Sequence, residues 1–179
     1  GKSGPTDITV DIVVSQTLGV LPGLTEFYYI KERGRFGIEG SLQSYNLTLY
    51  PAVKMSRKTV RRSIDNDKKL RRAMNITAEL CQIHEYWYHM TEDLLSPTEL
   101  FEGVQKAGFD WDFLLEHTRG YWVLEEDPRP LGLFLSTMDL IRIARGLYVP
   151  YWWDAEKKEV KAEYKYQYLA GEPLPKHVK

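Results

Sequence analysis

Cysteine is nearly missing from this chain: Cys81 is the only one in 179 residues. No intramolecular disulfide can form, and a cysteine-rich zinc site is excluded. A chain of this length buries enough apolar surface to fold without either staple. A single Cys within an apolar helical pattern reads as a small buried hydrophobe. Long apolar runs are missing too, so no membrane span is expected. No signal peptide opens the chain. It begins at Gly1 without Met, as a processed or trimmed product would. These absences suit an intracellular, reducing compartment, or an organelle matrix if a targeting segment has been removed. A charge excess is also missing, with a formal net charge of −1.

That near-neutrality hides an asymmetry. Residues 54–72 carry nine bases (Lys54, Arg57, Lys58, Arg61, Arg62, Lys68, Lys69, Arg71, Arg72) against Asp65 and Asp67. Residues 85–139 carry twelve acids against Lys106, Arg119 and Arg129. Such separation concerns partners more than fold. An apolar share of 43% and a charged share of 27% place the chain among ordinary folded proteins rather than disordered ones. Five Trp and twelve Tyr supply large, rigid contacts for a core or a partner surface.

The expected fold is α+β: an N-terminal antiparallel β segment, a long basic-to-apolar helix, three short capped helices and a C-terminal strand or arm. One domain is expected over residues 1–170, β-rich at 6–51, helical at 56–146 and extended at 147–169, before a flexible tail at 171–179. A small β module joined to a helical module near Pro51 is the alternative.

Ile8, Val10, Ile12 and Val14 alternate with polar residues, the period of a half-buried strand. Leu21-Pro22-Gly23 reads as a turn. Phe27, Tyr28, Tyr29 and Ile30 read as a β-prone run. Gly34, Gly37 and Gly40 suggest a hairpin with tight turns. Tyr45, Leu47 and Leu49 alternate again, with Pro51 ending that strand.

Ser56 reads as the N-cap of a basic helix running past Arg72. At about 100° per residue, Val60, Ile64, Met74 and Ala78 share its dry side. A second apolar seam, Ile76, Leu80, Ile83, Trp87, Met90 and Leu94, is out of phase with the first. The change near Asp65-Asn66-Asp67 or Asn75 predicts two helices or one bent helix.

Ser96-Pro97-Thr98-Glu99 is a capping box with Pro at the first helical position, and Gly108 stops that helix. Asp110 caps a second short helix expected to reach Gly120. Ser136 with Asp139 opens a third, closed by Gly146. Val160, Ala162, Tyr164, Tyr166 and Tyr168 alternate with polar residues and read as a strand with a tyrosine face.

The basic segment is the leading functional candidate. Arg57, Lys58, Arg61, Arg62, Lys68, Lys69 and Arg72 would track the phosphates of RNA or DNA. A solvated helix face, an acidic protein or an anionic membrane surface would fit the same pattern. Trp87, Tyr148, Tyr151, Trp152, Trp153, Tyr164, Tyr166 and Tyr168 are the candidate protein-partner interface, with core packing or base stacking as other uses.

No catalytic residue, metal or cofactor is assigned. His84 and His89 are five positions apart and diverge by about 140° on a helix, so the zincin pattern fails. Cys81 sits one turn from His84 but between apolar neighbours, where a thiol is inert. Gly1-Lys2-Ser3 lacks the strand and glycine of a phosphate loop. Arg33 and Arg35 reach a phosphate from their turn only if they are not simply solvated. The acidic loop Glu125-Glu126-Asp127, with His89 or His117, is the remaining hydrolase candidate. The resulting expectation is a non-catalytic accessory subunit of a larger assembly. It would contact nucleic acid through the basic helix and proteins through aromatic and acidic surfaces. A protein scaffold without nucleic-acid contact is the alternative, and a metal-dependent nuclease a further one.

Overall fold

The structure, a computed structural model, describes residues 11–41, 43–86, 94–120 and 132–168. Helices and small sheets alternate along the chain in an α+β architecture, in two compact units, Gly1–Pro97 and Thr98–Lys179.

The first unit opens on a short antiparallel hairpin, β1 (Val14–Ser15) with β2 (Gly19–Val20). Helix α1 (Pro22–Arg33) follows at once. The Thr25 hydroxyl donates to the Leu21 carbonyl and accepts the Val13 N–H, tying the first turn of α1 to the hairpin. Two sequence expectations fail here. Leu21-Pro22-Gly23 is no separate turn, because Pro22 sits in the first helical turn, where its missing N–H leaves no bond unmade. The Phe27 to Ile30 run is helical rather than extended. Phe27 and Ile30, three apart, are both buried, while Tyr28 and Tyr29 are only half-buried. One-sided packing outweighs the weak β preference of aromatic residues.

A three-stranded antiparallel sheet follows in the order β3 (Ile38–Ser41), β4 (Ser44–Leu47), β5 (Tyr50–Met55). Ile38 pairs with Leu47 and Tyr45 with Met55, and the β4–β5 register shifts between Tyr45 and Leu47. The expected alternation through Leu49 stops at Leu47, and Leu49 is buried in the turn that follows. Pro51 does not end a strand: it lies within β5, an edge strand that tolerates a missing donor.

Of the two expected forms, two helices rather than one long bent helix are present: α2 (Val60–Asn66) and α3 (Lys68–Tyr86). Asp67 makes the break. Its backbone is extended, and its carboxylate accepts the Leu70 N–H at 3.0 Å, capping α3. Ser56 is not the cap of α2. Thr59 occupies that position without a side-chain cap bond, and Ser56 begins the preceding turn. Val60, Ile64, Met74 and Ala78 are all buried, as the dry side requires. Leu70, Ala73, Ile76, Thr77, Leu80 and Cys81 are buried as well, so α3 is the core helix of this unit. It packs against α1, α2 and β5. Gly37, with φ of 101°, has no room for a Cβ, which would stand 2.3 Å from Thr77.

The second unit contains α4 (Pro97–Lys106), α5 (Trp111–His117) and α6 (Thr137–Ala144). The expected signals operate. Asp110 accepts the Asp112 and Phe113 N–H groups, and Ser136 and Asp139 form a reciprocal capping box. Gly108 follows α4 at a φ of 96°. Helix α5 stops at His117 rather than Gly120, because Thr118–Arg119 forms β6 and pairs in parallel with β7 (Leu133–Phe134). Strands β8 (Trp153–Asp154) and β9 (Glu159–Val160) form a last antiparallel pair. The expected tyrosine-faced strand is instead a 3-10 helix, Ala162–Tyr168, begun by the Tyr164 N–H on the Lys161 carbonyl. Alternation makes a strand only where a neighbour completes the hydrogen bonds, and the β8–β9 pairing ends at Val160.

Trp152 is fully buried in this unit, with Nε1 donating to the Phe134 carbonyl at 2.9 Å. Trp153 packs against Phe109 with ring centroids 4.4 Å apart.

A polar cluster joins α1 to α3. The Arg72 guanidinium donates to Asn75 at 2.7 Å, and the Asn75 amide donates to Glu26 at 3.0 Å and to Glu79 at 3.3 Å. Burial pushes the Glu26 carboxyl from its usual 4.5 up to about 7. The Asn75 bond opposes that rise, the Glu79 charge adds to it, and the Arg72 charge opposes it. The native state therefore holds the Glu26 proton more tightly than the unfolded chain does. The stability this contributes is complete below pH 4.5 and is lost as pH rises to about 7. Thermal melts across that window should show this loss, and Glu26→Gln should flatten it, leaving the variant the more stable protein above pH 7. Trp152→Ala should lower unfolding free energy by about 3–5 kcal/mol in chemical denaturation.

Candidate nucleic-acid interface

The basic residues of 54–72 lie on β5, α2 and α3 and on the turn between the first two. Lys54 is exposed on β5. Arg57 and Lys58 are exposed at the tip of a turn closed by the Thr59 N–H on the Ser56 carbonyl. The Thr59 hydroxyl also takes the Ser56 N–H at 2.9 Å, which holds the turn from its inner side. Arg61 and Arg62 are exposed on α2, whose other side carries the buried Val60 and Ile64. Lys68 and Arg71 are exposed on the first turn of α3.

These charges join through Asp65. Its carboxylate lies 3.8 Å from Arg61 Nε, and its carbonyl lies 3.5 Å from Arg71 Nη2. Arg57, Lys58, Arg62 and Lys68 have no acidic partner among the described residues. The result is a basic ridge from the end of β5 to the start of α3. Guanidinium groups of this kind can take phosphate oxygens two at a time, and exposed lysines add point charge. Backbone contact of this type positions a nucleic acid without reading its bases.

Two members of the expected set change place. Arg72 is only 7% exposed and is turned into the Asn75 cluster, so it leaves the interface. Lys69 is half-buried. Arg71, on the exposed side, takes up the position expected of Arg72. The reason is the break at Asp67, which starts α3 in a new phase, so a single helical wheel over 57–72 misassigns the second half.

The aromatic candidates separate likewise. Trp152 and Trp153 belong to the core and are withdrawn from any partner surface. Tyr151 is exposed, Tyr148 is half-buried, and Tyr164 meets Tyr151 edge-on at 5.3 Å. Trp87, the side chains of Tyr166 and Tyr168, and the acidic loop with Glu125, Glu126 and Asp127 lie outside the described residues. So does His89.

The Cys81–His84 pairing offers no nucleophile. Burial, aided by the Glu85 charge, pushes the Cys81 thiol up to about 12, and Sγ faces the Phe36 carbonyl at 3.8 Å. His84 Nε2 is 2.8 Å from the Leu95 carbonyl, and its ring meets Phe36 edge-on. Both residues line a pocket of about 400 Å³ with Arg33, Arg35, Phe36, Glu85 and Leu94. Glu85 is already engaged there, accepting the Tyr29 hydroxyl at 2.6 Å and facing Arg33 at 3.6 Å. Sequence spacing links Cys81 to His84 but has no means of bringing Phe36 beside them. Among the described residues, no group of three His, Cys, Asp or Glu side chains could hold a metal ion.

Comparison of the chain with family models, with curated proteins and with solved structures gives no match.

Arg72→Ala should destabilise the protein by roughly 1–3 kcal/mol, because it strips a buried hydrogen bond. Arg62→Ala should stay within about 0.5 kcal/mol of the parent, as an exposed side chain does. Urea titrations of the two variants read the contrast directly. Thiol-reactive dye should label Cys81 only as fast as the chain opens, which a comparison with unfolded protein measures.

Proposed function

We propose that this chain is a non-catalytic accessory subunit of a larger assembly, contacting the phosphate backbone of RNA or DNA through the basic ridge. Exposed aromatic and acidic surfaces would serve its protein partners. The carrying observation is the ridge itself: Arg57, Lys58, Arg61, Arg62, Lys68 and Arg71 are all exposed within three adjoining elements.

Physical reasoning favours phosphates over mere solvation of the ridge. Like charges gathered at this density repel one another, and among the described residues Asp65 is the acid seen to pair with the ridge. A polyanion relieves that repulsion and releases counterions as it binds. The buried, protonated thiol of Cys81 speaks against a cysteine hydrolase. A scaffold that offers the ridge to an acidic protein is the second reading, favoured by the apolar surface at Leu147 and Val149.

Fluorescence anisotropy with labelled RNA and DNA oligonucleotides distinguishes them. If the six exposed bases each neutralise a duplex phosphate, affinity should fall by about 10³-fold between roughly 50 and 200 mM salt. Combined Lys58→Glu, Arg61→Glu, Arg62→Glu and Lys68→Glu changes should abolish binding while leaving the melting profile close to native. Undiminished binding in that variant would overturn the ridge as the contact. Absence of binding at low salt would move the function to the scaffold.

A further inference from the structure

Between α6 and β8 the second unit carries an apolar strip in which burial alternates. Leu147, Val149 and Tyr151 are 72%, 55% and 46% exposed, whereas Pro150 and Trp152 are buried and Tyr148 is half-buried. As far as Pro150 this is the side-chain period of an extended chain, and Tyr151 and Trp152 lie in the turn that follows. The segment nevertheless has no strand beside it among the described residues.

Both ends are held. The Leu147 N–H donates to the Arg142 carbonyl at 2.8 Å, just after Gly146 turns the chain at a φ of 72°. The Trp153 N–H donates to the Pro150 carbonyl at 2.9 Å, above the buried Trp152. Between these anchors the N–H groups of Tyr148 and Val149 have no hydrogen-bond acceptor among the described residues. The carbonyls of Leu147, Tyr148 and Val149 have no donor there. In an extended chain the Leu147 carbonyl and the Val149 N–H and carbonyl point to one edge, and these are the groups an incoming strand completes beside the apolar side chains.

The charge around the strip selects the occupant. Arg142 and Arg145 are exposed at one end, and Lys161 Nζ lies 2.7 Å from the Tyr151 carbonyl at the other. Asp139, the acid whose charge reaches Tyr148, is engaged by the Ser136 N–H and hydroxyl in the α6 capping box. Tyr151 is the one exposed ring of the strip, and Leu147 and Val149 give a base nothing to stack on, so no run of rings is present for a nucleic acid.

We propose that residues 147–150 form a docking edge for an extended segment of a partner protein, apolar at alternate positions and acidic between them. The assignment rests on the accessory-subunit reading only in requiring a protein partner. The basic ridge belongs to the other unit, and its oligonucleotide test is separate.

The test uses the full chain, isotopically labelled, titrated with a short blocked peptide of alternating Glu and Val. Its lysine-for-glutamate counterpart, a backbone N-methylated version and oligouridylate are the comparisons. The Glu-Val peptide should shift the Tyr148 and Val149 amide resonances and slow hydrogen exchange at Val149, whose N–H faces the added strand. The lysine and N-methylated peptides should bind about tenfold more weakly or worse, a loss equal to one lost interaction of about 1.4 kcal/mol. Leu147→Asp combined with Val149→Asp, both at the surface, should abolish the response and leave other resonances in place. The N-methylated arm reads the same point without any variant. The proposal is overturned if the Glu-Val peptide gives no shift at about 1 mM. It is equally overturned if all three peptides act alike, or if oligouridylate perturbs these amides in preference. A ridge that fails to bind oligonucleotides leaves a positive peptide result standing.

Discussion

Helix α3 is enclosed by α1, α2 and the edge of the three-stranded sheet, and the first unit is arranged around satisfying that burial. Its buried residues run almost continuously from Leu70 to Cys81, so it has little solvent side to give to function along that stretch. Small residues make the enclosure possible. Gly37 lets the chain entering the sheet lie against Thr77, and Gly23 lets α1 lie against Ile64 of α2. A methyl group at either site would meet a neighbouring side chain at under 3 Å, so packing and backbone choice are coupled here.

That same constraint decides where charge can go. A cation on the inner side of α3 must find partners or be expelled, and Arg72 finds Asn75 within a cluster that also holds Glu26 and Glu79. Cations on α2 and on the first turn of α3 face water and form the ridge. The functional surface of this unit is thus what remains after its core helix has taken what it needs. Glu26 records the tension: its carboxyl is half-desolvated, and an amide and a guanidinium only partly offset that loss.

The second unit solves its problem by other means. Short helices are marginal alone, so each depends on caps and on a shared apolar centre. Asp110 and the Ser136–Asp139 box satisfy helix starts, and Trp152 with Phe109 and Trp153 fills the middle. Gly103 against Ala144 draws α4 and α6 together, since a Cβ there would stand 2.6 Å from the alanine methyl. Burying Trp152 and Trp153 leaves Leu147, Val149 and Tyr151 on the outside of the chain that leads to them. The exposed strip and the aromatic core are two sides of one segment.

Local signals were sufficient for much of this protein. The caps at Asp110 and Ser136, the glycine stops at Gly108 and Gly146, the dry side of Val60 and Ile64, and the inert setting of Cys81 all follow from residue chemistry within a turn or two. So does the concentration of positive charge in residues 54–72, because charge is a property of composition. What the tertiary structure decided was everything that needs a distant neighbour. Phe27 and Ile30 became helical because α3 offers a surface to pack on. The tyrosines after Val160 wound into a 3-10 helix because the β8–β9 pairing does not extend to them. Arg72 turned inward while Arg71 stayed out, because Asp67 restarted the helix in a phase that only the packing of Leu70 and Met74 reveals. Sequence determines which groups are present and how adjacent turns begin and end. Which side of an element faces water depends on desolvation by residues far along the chain, and only the folded structure brings those together.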